Sequence, residues 1–481
     1  MKWKRVIVWF RNDLRLHDHE ALVRAIEHGL EVIPVYVLDN RQFGETSFGF
    51  PKTGPYRTKF LLESLTQLRS RLKSVGSDLI VRKGLPEEII PEIANQYGAG
   101  GVYAHKEVTE EELKVEKALE KALFKSGIDV ELVWGSTLYH LADLPMPVRS
   151  LPEIFTHFRK EVEKFAPVRS TFPTPESIPT PYIENPGHIP SVEDMGMSLV
   201  EIDTRAVLDF KGGEIEALER LQTYFWEEDR LREYKETRNG LLGQGYSSKF
   251  SPWLALGCIS PRHIYKEVKR YEKMRKKNSS TYWLIFELIW RDYFRFVAKR
   301  YGNLLFLEGG IKGEYGNWQV DWARFEQWKD GMTGIPFIDA NMRELKETGF
   351  MSNRGRQNVA SFLVKDLRVD WRMGAEWFES TLLDYDVCSN WGNWNYVAGI
   401  GNDPRENRYF NVISQAKRYD AQGDYVRHWL PELESLPNGY VHEPYEMYPS
   451  ELKSYGVSLG GNYPHPIINQ AKSARTYARK N

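Results

Sequence analysis

Cysteine is scarce in this chain, and a long apolar run is missing. The 481 residues include 2 cysteines, Cys258 and Cys388, which lack the CxxC spacing of thiolate metal sites. Their scarcity excludes a disulfide framework and a multi-thiolate zinc site, and it indicates a reducing compartment. No stretch is long enough to cross a bilayer, and the apolar segment near Met1 is too short for a signal peptide. We therefore expect a cytoplasmic protein that contacts no membrane, or an organellar one if this is a mature chain.

An excess of charge and a nucleotide fingerprint are also missing. The 65 lysines and arginines nearly balance the 66 acidic residues, so the net charge of −1 gives no argument for nucleic acid. Basic residues cluster at 269–277 and at 472–480; such clusters are typical of solvated faces and are also able to contact phosphates. No GxGxxG follows the first apolar run, which excludes the standard dinucleotide-binding turn.

The first third of the chain alternates apolar runs with helical patterns. Strands are predicted at 6–10, 32–38, 78–81, 101–104 and 130–134, and helices at 19–29, 59–75 and 109–126. This alternation indicates an α/β domain with a Rossmann-like parallel sheet over residues 1–135. Prolines punctuate 136–205, which we interpret as a long interdomain linker. From 206 to 481 the pattern is helical and aromatic-rich, which predicts a larger all-α domain that ends in a short basic tail.

The densest group of polar residues lies between Asn353 and Tyr396. It contains Arg356, Asp384, Asp386 and Asn390 among several tryptophans of a mostly helical pattern; salt bridges and helix caps explain each residue singly. Buried polar groups need partners, and a planar, redox-active cofactor supplies them. We therefore interpret this stretch as half of a flavin site. The cation at 356 is expected to hold the carboxylate at 384. The residues at 386 and 390 are expected to lie at two ring nitrogens of the flavin.

A second segment, 246–252, has the composition of a phosphate cradle. Ser251 is a good helix N-cap, and Pro252 fits the first helical position. Hydroxyls, Lys249 and free backbone N–H groups at a helix start are able to bind a pyrophosphate. An ordinary capped helix is the alternative.

A third segment places a carboxylate on an aromatic helix face. Trp283, Glu287, Trp290 and Phe294 share one face of a helix at spacings of four, three and four residues. A carboxylate there is costly unless it is paired. Glu287 therefore either pairs with Arg291 on the surface or forms the floor of an aromatic-walled pocket. The triplet 17–19, His-Asp-His, does not have the pattern of a metal site, and we predict no metal.

Several motifs together resemble the cryptochrome/photolyase family. They are the run 290–294 (WRDYF), the run 333–343 (TGIPFIDANMR), the run 353–356 (NRGR) and the stretch from 384 to 394. The match extends to FRNDLR at 10–15, and the run 410–420 resembles the DASH cryptochrome branch in particular.

This resemblance implies two chromophores. FAD is expected in the helical domain, folded into a U, and a 5,10-methenyltetrahydrofolate antenna in a cleft against the α/β domain, with Glu110 as a partner. The implied FAD-binding residues are Tyr234, Ser247, Ser248, Lys249, Phe250 and Ser251 at the phosphates and Arg356, Asp384, Asp386 and Asn390 at the flavin. Trp394, Trp371 and Trp318 match the family's tryptophan chain, from the flavin outward.

The resemblance also implies contact with damaged DNA. The implied DNA-binding residues are Arg238, Glu287, Trp290, Asn353, Arg354, Gln357, Tyr396 and Gln415. Glu287 is expected to hydrogen-bond the flipped bases and Trp290 to stack on them. Gln357 stands where methionine is common, and Tyr396 stands where a second tryptophan is common. Both differences make the pocket more polar, which weakens the interactions that offset base flipping.

We therefore expect a monomer that repairs cyclobutane pyrimidine dimers in single-stranded DNA with blue light. The catalytic residues implied are Glu287, Asn390 and the three tryptophans. The alternative is a blue-light photoreceptor that binds DNA or a partner without physiological repair. An ordinary flavin oxidoreductase needs a nicotinamide site, and the sequence shows none.

Overall fold

A five-stranded parallel sheet forms the amino-terminal domain. The structure is a computed structural model that describes residues 3–405 and 408–469. The strands are β1 (Trp3–Phe10), β2 (Gly29–Asp39), β3 (Ile80–Gly84), β4 (Gly101–His105) and β5 (Asp129–Val133). They lie in the order β3-β2-β1-β4-β5, and all neighbouring pairs are parallel. The sheet confirms the predicted α/β domain.

Helices cover both faces of this sheet. They are α1 (Glu20–His28), α2 (Pro55–Ser74), α3 (Pro86–Tyr97) and α4 (Glu110–Lys125). Ile7 and Trp9 of β1 point into a core of the α/β domain alone, whereas Val6, Val8 and Phe10 point into a core that continues into the helical domain. The periodicity does not predict α3, because Pro86 and Pro91 interrupt its sequence pattern.

The segment predicted as a linker contains a helix. Residues 136–205 include two short 3-10 turns, Leu141–Asp143 and Val148–Ser150, and the helix α5 (Phe155–Phe165), whose apolar face is buried. The same segment follows the sheet, because the backbone carbonyl of Pro186 accepts a hydrogen bond of 2.8 Å from the N–H of Val81 in β3. The edge strand is thereby covered. The domain limits at 135 and 205 stay predictions.

The rest of the described chain is helical. The remaining α-helices are α6 (Glu214–Gln222), α7 (Tyr234–Thr237), α8 (Ser251–Ala255), α9 (Pro261–Met274), α10 (Ser279–Tyr301), α11 (Trp322–Lys329), α12 (Pro336–Thr348), α13 (Asn353–Ser361), α14 (Trp371–Thr381), α15 (Val387–Ala398), α16 (Val412–Tyr419), α17 (Asp424–Trp429) and α18 (Pro449–Ser454). This confirms the predicted helical domain. The basic tail at 472–480 lies outside the described residues. Within the described ranges, no helix combines the length and apolar character of a membrane span.

Buried charges join the helical domain to the linker and to the α/β domain. Asp292 of α10 accepts hydrogen bonds from the backbone N–H groups of Leu138 (2.9 Å) and Tyr139 (2.8 Å). Arg262 of α9 holds both carboxylate oxygens of Asp18, at 2.6 and 3.0 Å. Both carboxylates are almost fully buried. Such paired contacts fix the orientation of α9 and α10, and α10 carries much of the candidate site.

Candidate functional site

Most of the predicted site residues line one cavity of about 540 Å³ in the helical domain. Those residues are Tyr234, Arg238, Ser247, Ser248, Lys249, Phe250, Ser251, Glu287, Trp290, Asn353, Arg354, Arg356, Gln357, Asp384, Asp386 and Tyr396. Asn390 and Trp394 line an adjoining cavity of about 110 Å³, which shares Arg356, Asp384 and Asp386 with the first. Trp371, Trp318 and Gln415 lie outside both linings. The volume is in the range of small-molecule and cofactor sites.

The segment 247–251 lies in the cavity wall. Ser247 and Lys249 both have left-handed backbone conformations, with φ of 52° and 56°. Left-handed residues of this kind make backbone N–H groups converge into a nest that binds anions. The buried Lys249 ammonium donates to the carbonyls of Gly243 and Gln244, each at 3.2 Å, and to that of Tyr246. Burial, followed by the charge of Arg220, lowers the pKa of Lys249 to about 7.

The predicted N-cap at Ser251 is wrong by one residue. Helix α8 begins at Ser251, and its N-cap is Phe250, whose side chain makes no cap hydrogen bond. The left-handed Lys249 ends the turn early, so Phe250 already has helical dihedral angles of −75° and −8°. The Ser251 hydroxyl is therefore free of the capping role, and its residue lines the cavity.

A fixed ion pair lies at the junction of the two cavities. Arg356 Nη2 donates to both carboxylate oxygens of Asp384, at 3.0 and 2.9 Å, and its Nε donates to the carbonyl of Met351 at 2.9 Å. The structure thus brings together the pair that the sequence suggested. The Asp384 side chain is only 1% exposed, so this arginine takes the place of water as its partner.

Asp386 and Asn390, at the N-cap and in the first turns of α15, face the same junction. Asp386 is the N-cap of α15 and accepts the N–H of Ser389 at 2.8 Å. Burial opposes ionisation of Asp386, yet the positive charges of Arg291 and Arg295 lower its pKa. The Asn390 side-chain amide donates to the carbonyl of Ala375 at 3.0 Å, which fixes its position beside the smaller cavity.

Glu287 pairs across the cavity and not along its own helix. Its carboxylate forms an ion pair with Arg238. The guanidinium of Arg238 also lies 4.7 Å from the ring centre of Trp283. Arg291, the alternative partner, donates instead to the carbonyls of Ser136 and Leu254. Burial raises the pKa of Glu287, and Arg238 opposes that shift.

Trp290 has one ring face covered by a residue that the sequence did not indicate. Phe155 of α5 stacks on it, with ring centres 3.6 Å apart and planes within 11°. Tyr396 meets Trp290 edge-on at 6.2 Å. The spacing of Phe155, Phe158 and Val162 is the helical signal that identifies α5, and the surrounding prolines obscured it.

Gln357 and Tyr396, the two residues that depart from the family pattern, each accept a hydrogen bond from an arginine. Arg354 Nη1 donates to Gln357 Oε1 at 2.8 Å, and its Nη2 donates to Asn239 Oδ1 at 3.0 Å. The nearest oxygen of Gln415 is 3.5 Å from Arg354, so Gln415 reaches the site through this arginine.

Arg408 performs the same role for Tyr396. Its Nη2 donates to the Tyr396 hydroxyl at 2.7 Å, and Asp403 pairs with the same guanidinium. Arg408 also lines the main cavity. Spacing in the sequence gave no sign of it, because loop residues have no periodicity.

The three predicted tryptophans differ in exposure from the inside outward. Trp394 and Trp371 are buried, and Trp318 is partly exposed. A Cβ atom on Gly374 of α14 would lie 2.2 Å from the Trp394 ring, so this glycine permits a close approach of the helix that begins with Trp371. Gln319 exchanges backbone hydrogen bonds of 2.8 Å with Arg368 and Asp370, which places the Trp318 segment beside that of Trp371.

A second cavity, of about 530 Å³, lies between the two domains. Glu110 lines it, together with Tyr36, Glu107 and Glu112 of the α/β domain and Glu379 of α14. The Glu110 carboxylate lies 3.3 Å from the ammonium of Lys114. The position of this cavity fits the cleft that we expected for an antenna, and the role of Glu110 stays a prediction.

One group of metal-ligating side chains occurs in the described part of the chain, namely Asp13, His19 and His105. His19 Nδ1 accepts the N–H of Leu22 at 3.0 Å, so a neutral ring carries its proton on Nε2. That atom faces Asp13 Oδ2 at 2.9 Å. Within the described residues, Asp13 Oδ2, His19 Nε2 and both ring nitrogens of His105 are buried without a hydrogen-bond partner, and the absence of a metal stays a prediction.

Two family models match this chain. The model described as DNA photolyase matches residues 6–180, and the model described as the FAD binding domain of DNA photolyase matches residues 283–480. A protein from Synechocystis sp. named Cryptochrome DASH is 57% identical over 466 residues, which are 96% of this chain and 95% of that protein. The chain is therefore similar to these proteins over nearly its whole length.

Solved structures give the same result. The crystal structure of a Synechocystis sp. cryptochrome matches with a TM-score of 0.96 and 56% identity, and the match covers 99% of both chains. A bacterial class III photolyase from Agrobacterium tumefaciens matches with a TM-score of 0.85 and 32% identity, over 100% of this chain and 97% of the other.

Proposed function

The chain belongs to the cryptochrome/photolyase family, in its DASH branch, and from this premise we propose that it repairs cyclobutane pyrimidine dimers in single-stranded DNA. Repair would use blue light and electron transfer from bound FAD. The observation that supports this function most directly is that one cavity combines an anion-binding turn, a fixed ion pair, and a wall of Glu287 and Trp290. The cofactor and a flipped pyrimidine dimer would then share one cavity.

The residues present fit FAD. The left-handed turn at Ser247 and Lys249 supplies converging N–H groups and a buried ammonium for a pyrophosphate. Arg356, Asp384 and Asp386 supply charged, hydrogen-bonding groups at the junction with the smaller cavity. When bound, FAD supplies light absorption and one-electron chemistry. The role of the protein is to bind it, to orient it and to exclude water.

The opposite wall is suited to hold the lesion. Trp290 offers an aromatic surface for a flipped base, as stacking platforms in single-strand binding proteins do. The Glu287 carboxyl lies in the same wall, where it is suited to hydrogen-bond the flipped bases. Arg238 holds that carboxyl in place and adds positive charge for the neighbouring backbone phosphates.

The preference for single strands follows from the stacking surfaces. Flipping a dimer out of a duplex costs a few kcal/mol, and aromatic stacking returns roughly 1–3 kcal/mol per base. Phe155 already covers one face of Trp290, and Tyr396 lies edge-on with its hydroxyl held by Arg408. Gln357 adds an amide where an apolar side chain would pack. We infer that the stacking free energy available at this wall is too small to offset the cost of flipping a dimer out of a duplex.

The deciding experiment measures dimer repair by the reduced holoprotein under blue light on matched single-stranded and duplex oligonucleotides. Repair of the single strand with little repair of the duplex supports the proposal. Equal repair of both would contradict the single-strand preference. No repair of either, with light-driven flavin reduction intact, would favour a photoreceptor function.

A folate antenna, 5,10-methenyltetrahydrofolate, is part of this proposal. The interdomain cavity is large enough for such a ligand, and Glu110 lies in its wall. Reconstitution with the folate should add an absorption band and raise the quantum yield of repair, and Glu110→Gln should weaken folate binding more than FAD binding.

We also propose that the protein acts as a cytoplasmic monomer. Both cysteines are buried and free, which suits a reducing compartment. A relative in Arabidopsis thaliana, 53% identical over 91% of this chain, has a name that includes the words chloroplastic/mitochondrial. Fractionation of the native cells and sedimentation of the purified protein test the two statements.

A further inference from the structure

The middle tryptophan of the predicted chain contacts a fourth tryptophan. The ring centres of Trp371 and Trp391 lie 5.7 Å apart, with the planes at 82°. Trp391 is buried and lies on α15, three residues before Trp394. Trp391 is therefore a neighbour in ring contact that is able to supply an electron to oxidised Trp371, on the side of the interdomain cavity. The family resemblance implies Trp318 as the next member of the chain on the side of the surface.

A tyrosine follows Trp391. The Trp391 Nε1–H donates to the hydroxyl oxygen of Tyr385 at 3.2 Å. Tyr385 lies in the wall of both the smaller flavin-side cavity and the interdomain cavity. The guanidinium of Arg57 lies 4.8 Å from the centre of its ring. Trp371, Trp391 and Tyr385 thus form a second aromatic branch.

Tyr385 faces a base. Tyr385 and Glu379 both line the interdomain cavity. Burial, and after it the negative charge of Glu379, raise the pKa of Tyr385 well above its usual value. Burial raises the pKa of Glu379 itself to about 7, although Arg57, Tyr385 and Lys52 oppose the shift. Glu111 also faces Glu379 and acts in the same direction as burial. A carboxylate with such a pKa is able to accept a proton near neutral pH.

In the part of the chain that the structure describes, no carboxylate or imidazole accepts a hydrogen bond from the ring nitrogen of Trp371 or of Trp318. Trp371 Nε1 donates at 3.0 Å to the backbone carbonyl of Glu308, which does not accept a proton at neutral pH. Trp318 Nε1 is buried and has no hydrogen-bond partner within the described residues. Oxidised phenols are strong acids, so a tyrosine beside a carboxylate gives up its electron and proton together.

We propose that the electron vacancy created on Trp371 by light-driven flavin reduction passes through Trp391 to Tyr385, while Glu379 accepts the phenolic proton. This inference rests on the proposed function, in which excited flavin is the oxidant, and on the tryptophan chain that the family resemblance implies, in which Trp394 and Trp371 carry electrons to it. Trp391 passes one electron to oxidised Trp371, and Tyr385 passes one electron to oxidised Trp391. The O–H bond of Tyr385 breaks and a carboxyl O–H bond forms on Glu379. The products are one neutral tyrosyl radical and one protonated carboxyl group.

The test identifies the radical in the full-length holoprotein. Protein grown with ring-deuterated tyrosine, or with ring-deuterated tryptophan, is illuminated with oxidised FAD bound, frozen and examined by electron paramagnetic resonance. We expect the tyrosine label to narrow the radical signal. A signal that only the tryptophan label narrows would overturn the proposal, and this comparison needs no variant.

Variants then locate the tyrosine. Tyr385→Phe should remove the tyrosyl signal, and Glu379→Gln should slow its formation by roughly a hundredfold, the scale of a positioned base. The matched control is Tyr282→Phe, because the Tyr282 hydroxyl donates to the Glu163 carboxylate at 2.7 Å outside these cavities. Persistence of the tyrosyl signal in Tyr385→Phe with normal FAD content would assign the radical elsewhere and overturn the branch.

Repair assays on the same preparations separate the two proposals. Dimer repair by the reduced protein together with a radical confined to tryptophan would retain the proposed function and reject the branch. A tyrosyl radical on Tyr385 without any dimer repair would support the branch and reject repair as the function.

Discussion

Arg354 holds the side-chain oxygen of Gln357 at 2.8 Å, so the amide of Gln357 has a fixed orientation in the cavity wall. Its NH2 group is the end that remains for a ligand or water. The polarity of this wall is therefore a built feature, because a second guanidinium, that of Arg408, holds Tyr396 in the same way.

Making this wall apolar should extend repair to duplex DNA. The double substitution Gln357→Met and Tyr396→Trp adds a stacking ring and removes an amide, a gain of about 1–3 kcal/mol per stacked base. We expect the duplex-to-single-strand repair ratio to rise by roughly tenfold. The ratio is measured on matched oligonucleotides. An unchanged ratio, with FAD content preserved, would show that the wall does not set the preference.

Phe155 should support Trp290 specifically. Phe155→Ala removes a buried ring and should destabilise the protein by about 3–5 kcal/mol, as should Phe158→Ala on the same helix. Phe158 packs on Tyr293 and Phe296 instead of Trp290. Both variants lose stability to a similar extent, so any effect of that loss on binding should be the same in both. We expect only Phe155→Ala to weaken binding of a single-stranded dimer further. Equal binding by the two variants would contradict a role for this stacking in lesion recognition.

Removal of Arg356 should expose the dependence of Asp384 on it. Arg356→Met leaves a buried carboxylate without its partner, which costs about 3–5 kcal/mol. Urea denaturation of the apoprotein measures this loss. The double variant Arg356→Met/Asp384→Asn should recover much of the stability but not the affinity for FAD. If the double variant bound FAD normally, this pair would serve folding alone.

The affinity for FAD should fall as pH rises. In the protein without ligand the pKa of Lys249 is about 7, and bound phosphates raise it, so the protonated form binds more tightly. Affinity is then highest below about pH 7 and decreases up to tenfold per pH unit until the pKa of the complex is reached. Glu344 lines the same cavity, burial raises its pKa to about 8, and its ionisation weakens phosphate binding in the same direction.

Fluorescence titration of the apoprotein with FAD across this range measures the slope. Lys249→Met should remove most of the pH dependence, and Glu344→Gln should remove the part that appears near pH 8. A slope that survives in the combined variant would assign the linkage to another group.

The sequence predicted the parts of the molecule whose signals are local. Apolar runs such as 6–10 predicted the strands, because both faces of a parallel sheet are buried. The pair of Arg356 and Asp384 was suggested by chemistry, since a buried carboxylate needs a cation. Resemblance to a family supplied the expectation of FAD and of the tryptophan chain.

Contacts between distant segments were not predictable in the same way. Phe155 stacks on Trp290, although the two residues are far apart in the sequence. The periodicity of each segment predicts its own helix and gives no information about which helices pack together. The pairing of Glu287 with Arg238, rather than with Arg291 one helical turn away, is likewise set by the packing of α7 on α10. Helix α3 was missed because its prolines weaken a local pattern that packing on the sheet stabilises.

The carboxylate of Asp386 lies in the wall between two cavities. Asp386 and its neighbour Arg291 line both the main cavity and the interdomain cavity, so the partition between the two is a single layer of side chains. A ligand bound in one cavity therefore changes the electrostatic field at a ligand in the other. By thermodynamic reciprocity, the free energy of that influence is the same in both directions. Binding of the proposed folate would therefore change the affinity for FAD, and binding of FAD would change the affinity for the folate by the same factor. This coupling is separate from any transfer of excitation energy between them.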